Sequence, residues 1–513
     1  MKKGLWSVIL VLALCLLTFV QAEEAQESEK VREGCWYEVF VYSYSDSDGD
    51  GIGDLKGLEN KLDYIEYMGY DGLWLMPVMP SPSYHKYDVT DYMNVDEQYG
   101  TLDDMRSLVN ACHERGIRII IDLVVNHTST RHPWFTRACA SVKMGNTANK
   151  YVSYYNFTRT DANKYTNLQG TGWYYEEQFQ GGNMPDLNLD NPEVRSEIQN
   201  IMRFWLSDIN IDGFRLDACT SFYQTREGDI EFLTWLTRAA KEIKPDCYLV
   251  GETWTSLPVI AEYCKSGIDS CFLFPASQAE GYIVSAIRSS KGGESYLKNL
   301  LLAESAIPEG ILAPFLCNHD TGRTVGLISA RSYPEKAKFA EGILNMYPGS
   351  VFTYYGEEIG MVGSSNDPNK RIAMNWSEGE RTSPPPGATT FEYPYPGVYE
   401  QMEDESSLLN YCREINRIKH ENPVIMQGRT VDGNAEGSLC VLRRESETDA
   451  CVIAINFDPY EAVSFDCPGS LAFKDELSAT GEKAAVVQDV EASVTHVTLP
   501  AYGIVILKPA FDD

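Results

Sequence analysis

The 513-residue sequence predicts an α/β protein: a (β/α)8 TIM barrel with a subdomain inserted after its third strand and an antiparallel β-sandwich at its C-terminus. Three observations predict it. Apolar, strand-like runs alternate with helical periodicity from residue 34 onward, the pattern of a parallel sheet with crossover helices. Residues 126–190, rich in Asn, Thr, Tyr and Gly, then interrupt that alternation at a length no ordinary βα loop reaches. Beyond Pro423 the pattern turns to short alternating runs broken by Asp, Gly and Pro, as in a β-sandwich.

Taken in order, Met1 to Ala22 read as a signal peptide. Lys2 and Lys3 open it, Leu5 to Val20 form the apolar run, and Val20-Gln21-Ala22 supply a small-residue cleavage site. A secreted mature chain starting near Glu23 is expected. Cys15 follows Leu14 inside the apolar run, which is not the context for lipid attachment. The barrel is expected over residues 34–125 and 191–423. Its strands are predicted at Trp36–Tyr42, Gly72–Met76, Ile117–Val125, Gly213–Asp217, Tyr248–Glu252, Ala313–Leu316 and Val351–Tyr354, with an eighth near Ser270–Phe274. The sandwich, 424–513, includes Gly437–Arg443, Ala450–Phe457 and Ser493–Leu507.

A hydrophobic share of 43% and an aromatic share of 12% exclude a wholly disordered chain. The net charge of −31 argues against a nucleic-acid partner. It suits a self-repelling, solvated surface and would not repel a neutral substrate. Past the leader no run approaches the roughly 20 apolar residues of a membrane span, and a monomer is expected. Thirteen cysteines, without Cys15, leave an even set compatible with disulfides in an exported protein. Cys440 with Cys451, and Cys264 with Cys271, are the candidate pairs; Cys112, Cys219 and Cys317 fall in or beside core elements, where a thiol acts as a small hydrophobe. The cysteine spacings show no zinc pattern.

Reactive groups of such a barrel sit at the C-terminal ends of its strands, and carboxylates cluster there. In Gly213-Phe214-Arg215-Leu216-Asp217, alternation puts Arg215 and Asp217 on one face, where the guanidinium would keep a nucleophilic carboxylate ionised and oriented. Glu252 closes the next strand and Asp320 ends Asn318-His319-Asp320. Glycoside hydrolysis needs one carboxylate to attack and another that keeps its proton for the leaving oxygen. Of only seven histidines, His85, His127 and His319 fall in these same segments, with Tyr87 and Asp88 beside His85. Imidazoles can bond sugar hydroxyls, and a tyrosine offers a stacking face.

Asp122-Leu123-Val124-Val125-Asn126-His127, Gly213 to Ala218, Gly251-Glu252-Thr253-Trp254 and Asn318-His319-Asp320 resemble, in order, the four signature segments of the α-amylase family of glycoside hydrolases. Met184-Pro185-Asp186-Leu187-Asn188 resembles the fifth. The resemblance implies hydrolysis of α-1,4-glucans such as starch or maltooligosaccharides. It also implies Asp217 as nucleophile, Glu252 as acid/base and Asp320 as transition-state stabiliser, with Arg215, His127 and His319 lining the cleaved sugar's subsite. Tyr87, with His85 and Asp88, resembles the family's stacking tyrosine. An α-glucosidase, a neopullulanase or a 4-α-glucanotransferase remains the alternative on the same fold; a non-catalytic relative would be expected to have lost one of the three acids.

The segment Asp46 to Asp54 alternates carboxylates with turn glycines, as a hard cation with oxygen ligands requires. It resembles the calcium loop of the neopullulanase-like branch, with Asp46, Asp48, Asp50, Asp54 and the main-chain oxygen of Ile52 as ligands. Asn126 and Asp186 are similar to ligands of a second calcium site found in some members. Thr220 and Ser221 depart from the Lys-His that many α-amylases carry there, which leaves aglycone binding open. Ala218, smaller than the valine common in α-1,6-cleaving relatives, is expected to favour α-1,4 bonds.

Overall fold

The computed structural model describes residues 33–289 and 291–509, so the leader with its cleavage site and Cys15 lies outside the described residues. Eight parallel strands form one sheet: β1 (Cys35–Val39), β2 (Gly72–Leu75), β3 (Arg118–Leu123), β4 (Gly213–Leu216), β5 (Tyr248–Gly251), β6 (Ser270–Phe272), β7 (Ile311–Ala313) and β8 (Val351–Tyr354). Each pairs with its sequence neighbour and β8 pairs with β1, Cys35 lying opposite Val351. A parallel bridge between Phe315 and Phe352 joins β7 to β8 and closes the barrel.

The strands are shorter than the apolar runs that announce them. β7 ends at Ala313 rather than running from there to Leu316, because Pro314 has no N–H to continue the ladder. β1 stops at Val39, and Val41–Ser43 turn into a short 3-10 segment. β4 and β5 stop one residue before Asp217 and Glu252, so both acids stand just above the ladder.

Trp36, Trp74, Ile120, Tyr248, Val250, Phe272 and Phe352 pack together as an apolar plug inside the barrel. Strand periodicity then carries each inward column upward by two residues. Above Trp36 stands Glu38, above Ile120 stands Asp122, and above Val250 stands Glu252. Core residues that face outward, such as Leu73, Ile119, Ile121, Phe214 and Leu249, are buried in the large cluster that covers the barrel's outside.

Between β3 and β4 lie the helix Pro133–Lys143 and a three-stranded sheet of Phe157–Thr158, Trp173–Glu176 and Tyr165–Leu168. Its return is sewn to the barrel by bridges from His127 to Asp186 and from Tyr155 to Leu187. After the helix Leu408–Glu421 the chain forms a five-stranded and a three-stranded antiparallel sheet. Ala454, Cys467, Leu471, Val497, Leu499, Val505 and Leu507 pack between them. Arg444, fully buried, donates from Nη1 to the carbonyls of Met346 (2.9 Å) and Ile425 (2.7 Å), fastening this domain to the barrel.

All twelve described cysteines are free thiols, so neither candidate pair is cross-linked. In the hairpin, Cys440 faces Ile455 while Cys451 faces Arg444, so register separates the two sulfurs. Cys264 and Cys271 do meet, through a hydrogen bond that raises the Cys271 thiol, but they are not cross-linked. Among the described residues no helix is long and apolar enough to cross a membrane.

Candidate active site

Arg215 organises the mouth of the barrel. Its side chain is 1% exposed and reaches three carboxylates at once: Asp122, Asp217 Oδ1 (2.7 Å) and Glu252 Oε2 (3.2 Å). Asp122 also accepts a bond from Trp74 Nε1 (2.9 Å), so the base of the guanidinium is fixed by a residue anchored in the apolar plug. A planar fork between two acids sets their spacing by its own width and holds both in one orientation.

The two bridged acids are not equivalent. Glu252 is raised to about 7 by burial and by the charges of Asp217 and Asp320, which outweigh the opposing pull of Arg215. Its Oε2 also accepts from the Ala218 N–H at 2.8 Å. That amide is presented by an unusual corner, because Ala218 has φ 50, in the left-handed region that few residues with a side chain enter. Asp217 is almost buried, 7% exposed, and lies with the guanidinium at hydrogen-bonding distance. One acid that keeps its proton near neutrality beside another paired to a permanent cation is the division of labour glycoside hydrolysis needs.

Asp320 completes a third corner. Burial would raise its carboxyl, but the charge of and hydrogen bond from His319, with the charges of Arg371 and Arg215, hold it far below the usual range. His319 Nε2 lies 3.1 Å from Asp320 Oδ2, and its Nδ1 contacts buried Glu38. Although burial alone would lower it, these two acids raise His319 to about 9, so at neutral pH it is an imidazolium donating from both nitrogens. Arg371 Nη2 grips Asp320 Oδ1 at 2.8 Å, and Lys370 Nζ donates to the Asp320 carbonyl at 2.7 Å.

Tyr87 stacks on the His319 ring, centroids 5.5 Å apart at 17°, with its hydroxyl 2.7 Å from His319 Nε2. His127 is buried and its Nε2 has no hydrogen-bond partner among the described residues. Burial lowers both His127 and His85, the latter helped by the Arg371 charge, so both are neutral rings near pH 7. His85 Nδ1 accepts the Tyr87 N–H at 3.1 Å, which sets the tyrosine loop. The Asp88 carboxylate accepts from the hydroxyls of Ser81 (2.6 Å), Ser83 and Ser129 (3.5 Å), which ties together the loop that carries His85 and Tyr87.

Glu38, Trp74, Arg371 and Lys370 were not foreseen. Glu38 and Trp74 are readable as inward positions on their strands, whereas Lys370 and Arg371 close a four-residue helix, Asp367–Lys370, beyond β8 that no recognisable spacing announces.

The acidic loop brings carboxylate oxygens of Asp46, Asp48 and Asp50 within 4.8 Å of one another. Gly49 and Gly51, at φ 86 and 93, make its turns. Hard oxygen donors closing on one point fit calcium. Asp54 stands outside this group, taking the amides of Ser47 (2.7 Å) and Gly57 (2.7 Å) and capping the helix Leu55–Glu59. The Ile52 amide donates to Asp50 Oδ1 at 2.7 Å. Asn126 Nδ2 donates to Asp186 Oδ1 at 3.3 Å.

Residues 38–428 match the model of the α-amylase catalytic domain. The chain belongs to the α-amylase family of glycoside hydrolases. It is 34% identical to "Alpha-amylase 3" of Dictyoglomus thermophilum over 97% of this chain and 98% of that one. Similarity to a 4-alpha-glucanotransferase of Thermotoga maritima is 28% over 83% and 96% of the two chains. Among solved structures, Amy13B of Eubacterium rectale superposes with a TM-score of 0.88 at 41% identity, covering 94% of this chain and 96% of its own. The α-amylase from H. orenii gives 0.81 at 32% identity, over 93% of this chain and all of that one, 100%. This α-amylase-family chain gathers Asp122, Asp217 and Glu252 around one buried guanidinium.

Proposed function

We propose that this chain is an exported, retaining hydrolase of α-1,4-glucosidic bonds in starch or maltooligosaccharides. The observation that carries the reading is the pair Asp217 and Glu252 on one guanidinium, with Glu252 raised to about 7. Asp217 attacks the anomeric carbon while Glu252 passes its proton to the departing glycosidic oxygen. Glu252, now ionised, then takes a proton from the water that releases the sugar from Asp217. Asp320, ionised throughout, and His319⁺ hold the hydroxyls beside the reacting carbon, His127 donates from its unpartnered nitrogen, and Tyr87 supplies a stacking face. Calcium would be held by Asp46, Asp48, Asp50, the Ile52 carbonyl and, on rotation from its cap, Asp54; bound there it neutralises the loop's charges.

A transferase or an oligo-1,6-glucosidase is the second reading, favoured by relatives that bear those names. Proton NMR of fresh maltooligosaccharide digests tests the first: an α-anomer should form first, and a β-anomer refutes retention. Comparing kcat/KM on maltotriose and isomaltotriose tests the linkage; equal or higher values on isomaltotriose refute the α-1,4 assignment.

A further inference from the structure

At the opposite end of the barrel from the three acids, the chain brings together a thiol, a carboxylate and an imidazole that the reaction does not use. Cys35 opens β1 and is buried, Asp71 immediately precedes β2, and His420 is the penultimate residue of the helix Leu408–Glu421. One ligand atom from each lies within 4.8 Å of the others. His420 Nε2 sits 3.1 Å from both Asp71 oxygens, and Asp71 Oδ2 is positioned by the Cys35 amide at 2.7 Å.

We propose that Cys35, Asp71 and His420 form a zinc-class metal site that staples the first strand of the barrel to its last helix. Zinc takes sulfur at about 2.3 Å and nitrogen or oxygen at about 2.0–2.2 Å, so ligand atoms around a tetrahedral ion stand about 3.3–3.6 Å apart. The imidazole and carboxylate already stand at 3.1 Å, and the sulfur, within 4.8 Å of both, needs to move by about 1.5 Å at most. A thiolate with an imidazole and one carboxylate selects zinc or cobalt(II) over calcium, in contrast to the oxygen-only loop at Asp46. Thiolate and carboxylate bring two negative charges to a divalent ion, set against the neighbouring cations Arg118 and Lys419.

Access is open from one side only. Cys35 is enclosed, while the side chains of His420 and Asp71 are 39% and 35% exposed. His420 also lines a groove of about 1230 Å³ between the barrel and the C-terminal domain, so the imidazole side of the cluster faces open space. No sequence spacing announces the site, because its ligands lie 36 and 349 residues apart along the chain. The ion would bind the folded chain far better than the unfolded one, so it stabilises by mass action.

The test uses the full-length enzyme with calcium present throughout, so that the Asp46 loop stays saturated. After equilibration with zinc and dialysis, one equivalent is expected by elemental analysis, and cobalt(II) should give a thiolate charge-transfer band in the near ultraviolet. Cys35→Ser should abolish that band. His420→Gln, at a half-exposed position that spares the fold, should weaken zinc binding at least tenfold, because even outer-shell changes cost about 10–100-fold. Zinc should raise the melting temperature of the wild type and not of His420→Gln. Absence of retained zinc, or equal retention by wild type and both variants, overturns the proposal.

Discussion

Replacing Glu252 by glutamine deletes the proton that catalysis needs and also deletes a charge the fold disfavours. The folded carboxyl sits at about 7 against an ordinary 4.5, held up by burial and by Asp217 and Asp320. At about 1.4 kcal/mol per pH unit, that interval makes ionised Glu252 cost the folded state roughly 3 kcal/mol. Because the folded value lies above the unfolded one, the native state binds this proton more tightly. The stability it contributes is complete below 4.5 and is lost as pH rises through about 7. Glutamine stays neutral, and its carbonyl oxygen can still accept the Ala218 N–H. Glu252→Gln should therefore be nearly inactive, yet more stable than the wild type by up to about 3 kcal/mol at pH about 8, with no advantage near pH 4. Urea midpoints for both proteins across that range, in calcium, measure it. A variant less stable at pH about 8, or a difference that does not change with pH, refutes the argument.

Other outcomes follow from the same geometry. The basic limb of kcat/KM should lie near 7 and fall about tenfold per pH unit above it, because Glu252 works protonated. Asp320→Asn should move that limb lower by removing one of the charges that raise Glu252; a limb that stays in place excludes Asp320 as a cause. Arg371→Gln removes a charge-assisted bond worth about 1.5–3 kcal/mol to Asp320 and should lower kcat/KM by about 10- to 100-fold, whereas a loss below about threefold dismisses the clamp. EDTA should lower the melting temperature and calcium restore it, an effect Asp48→Asn should blunt. An unchanged melting curve with no ion found by elemental analysis leaves the Asp46 loop an acidic turn.

The barrel was legible because its inward columns repeat every two residues, so an acid just past an apolar run must surface at the mouth. Asp217 and Glu252 obey that rule; Glu38 lies within β1 itself, on the same inward column as Trp36, and no motif marks it. What periodicity cannot supply is the competition for a side chain. Asp88 was legible as a site residue, yet three serines hold its carboxylate; Asp54 was legible as a metal ligand, yet it caps a helix. Arg371 enters from a loop whose course depends on tertiary contacts, including its own bond to the His319 carbonyl at 3.2 Å. In the hairpin the Cys440 and Cys451 pairing fails on register, which sets the two four positions apart along the strands and which cysteine spacing does not encode.

The left-handed corner at Ala218 ties two traits that selection would otherwise adjust separately. On the proposed reading the position sets how much room the departing sugar finds, and it also turns the chain so that its amide meets Glu252. A β-branched residue at positive φ adds steric strain of about 1–3 kcal/mol, so valine there would narrow the aglycone side only by bending the corner that holds the acid. A changed linkage ratio in Ala218→Val would then mix lost space with a displaced proton donor. Asparagine, which tolerates this conformation, separates the two effects. On the proposed reading, linkage preference and the placing of the proton donor thus share one backbone angle, and a side chain at 218 cannot be enlarged without loading the turn that aims the Ala218 amide at Glu252.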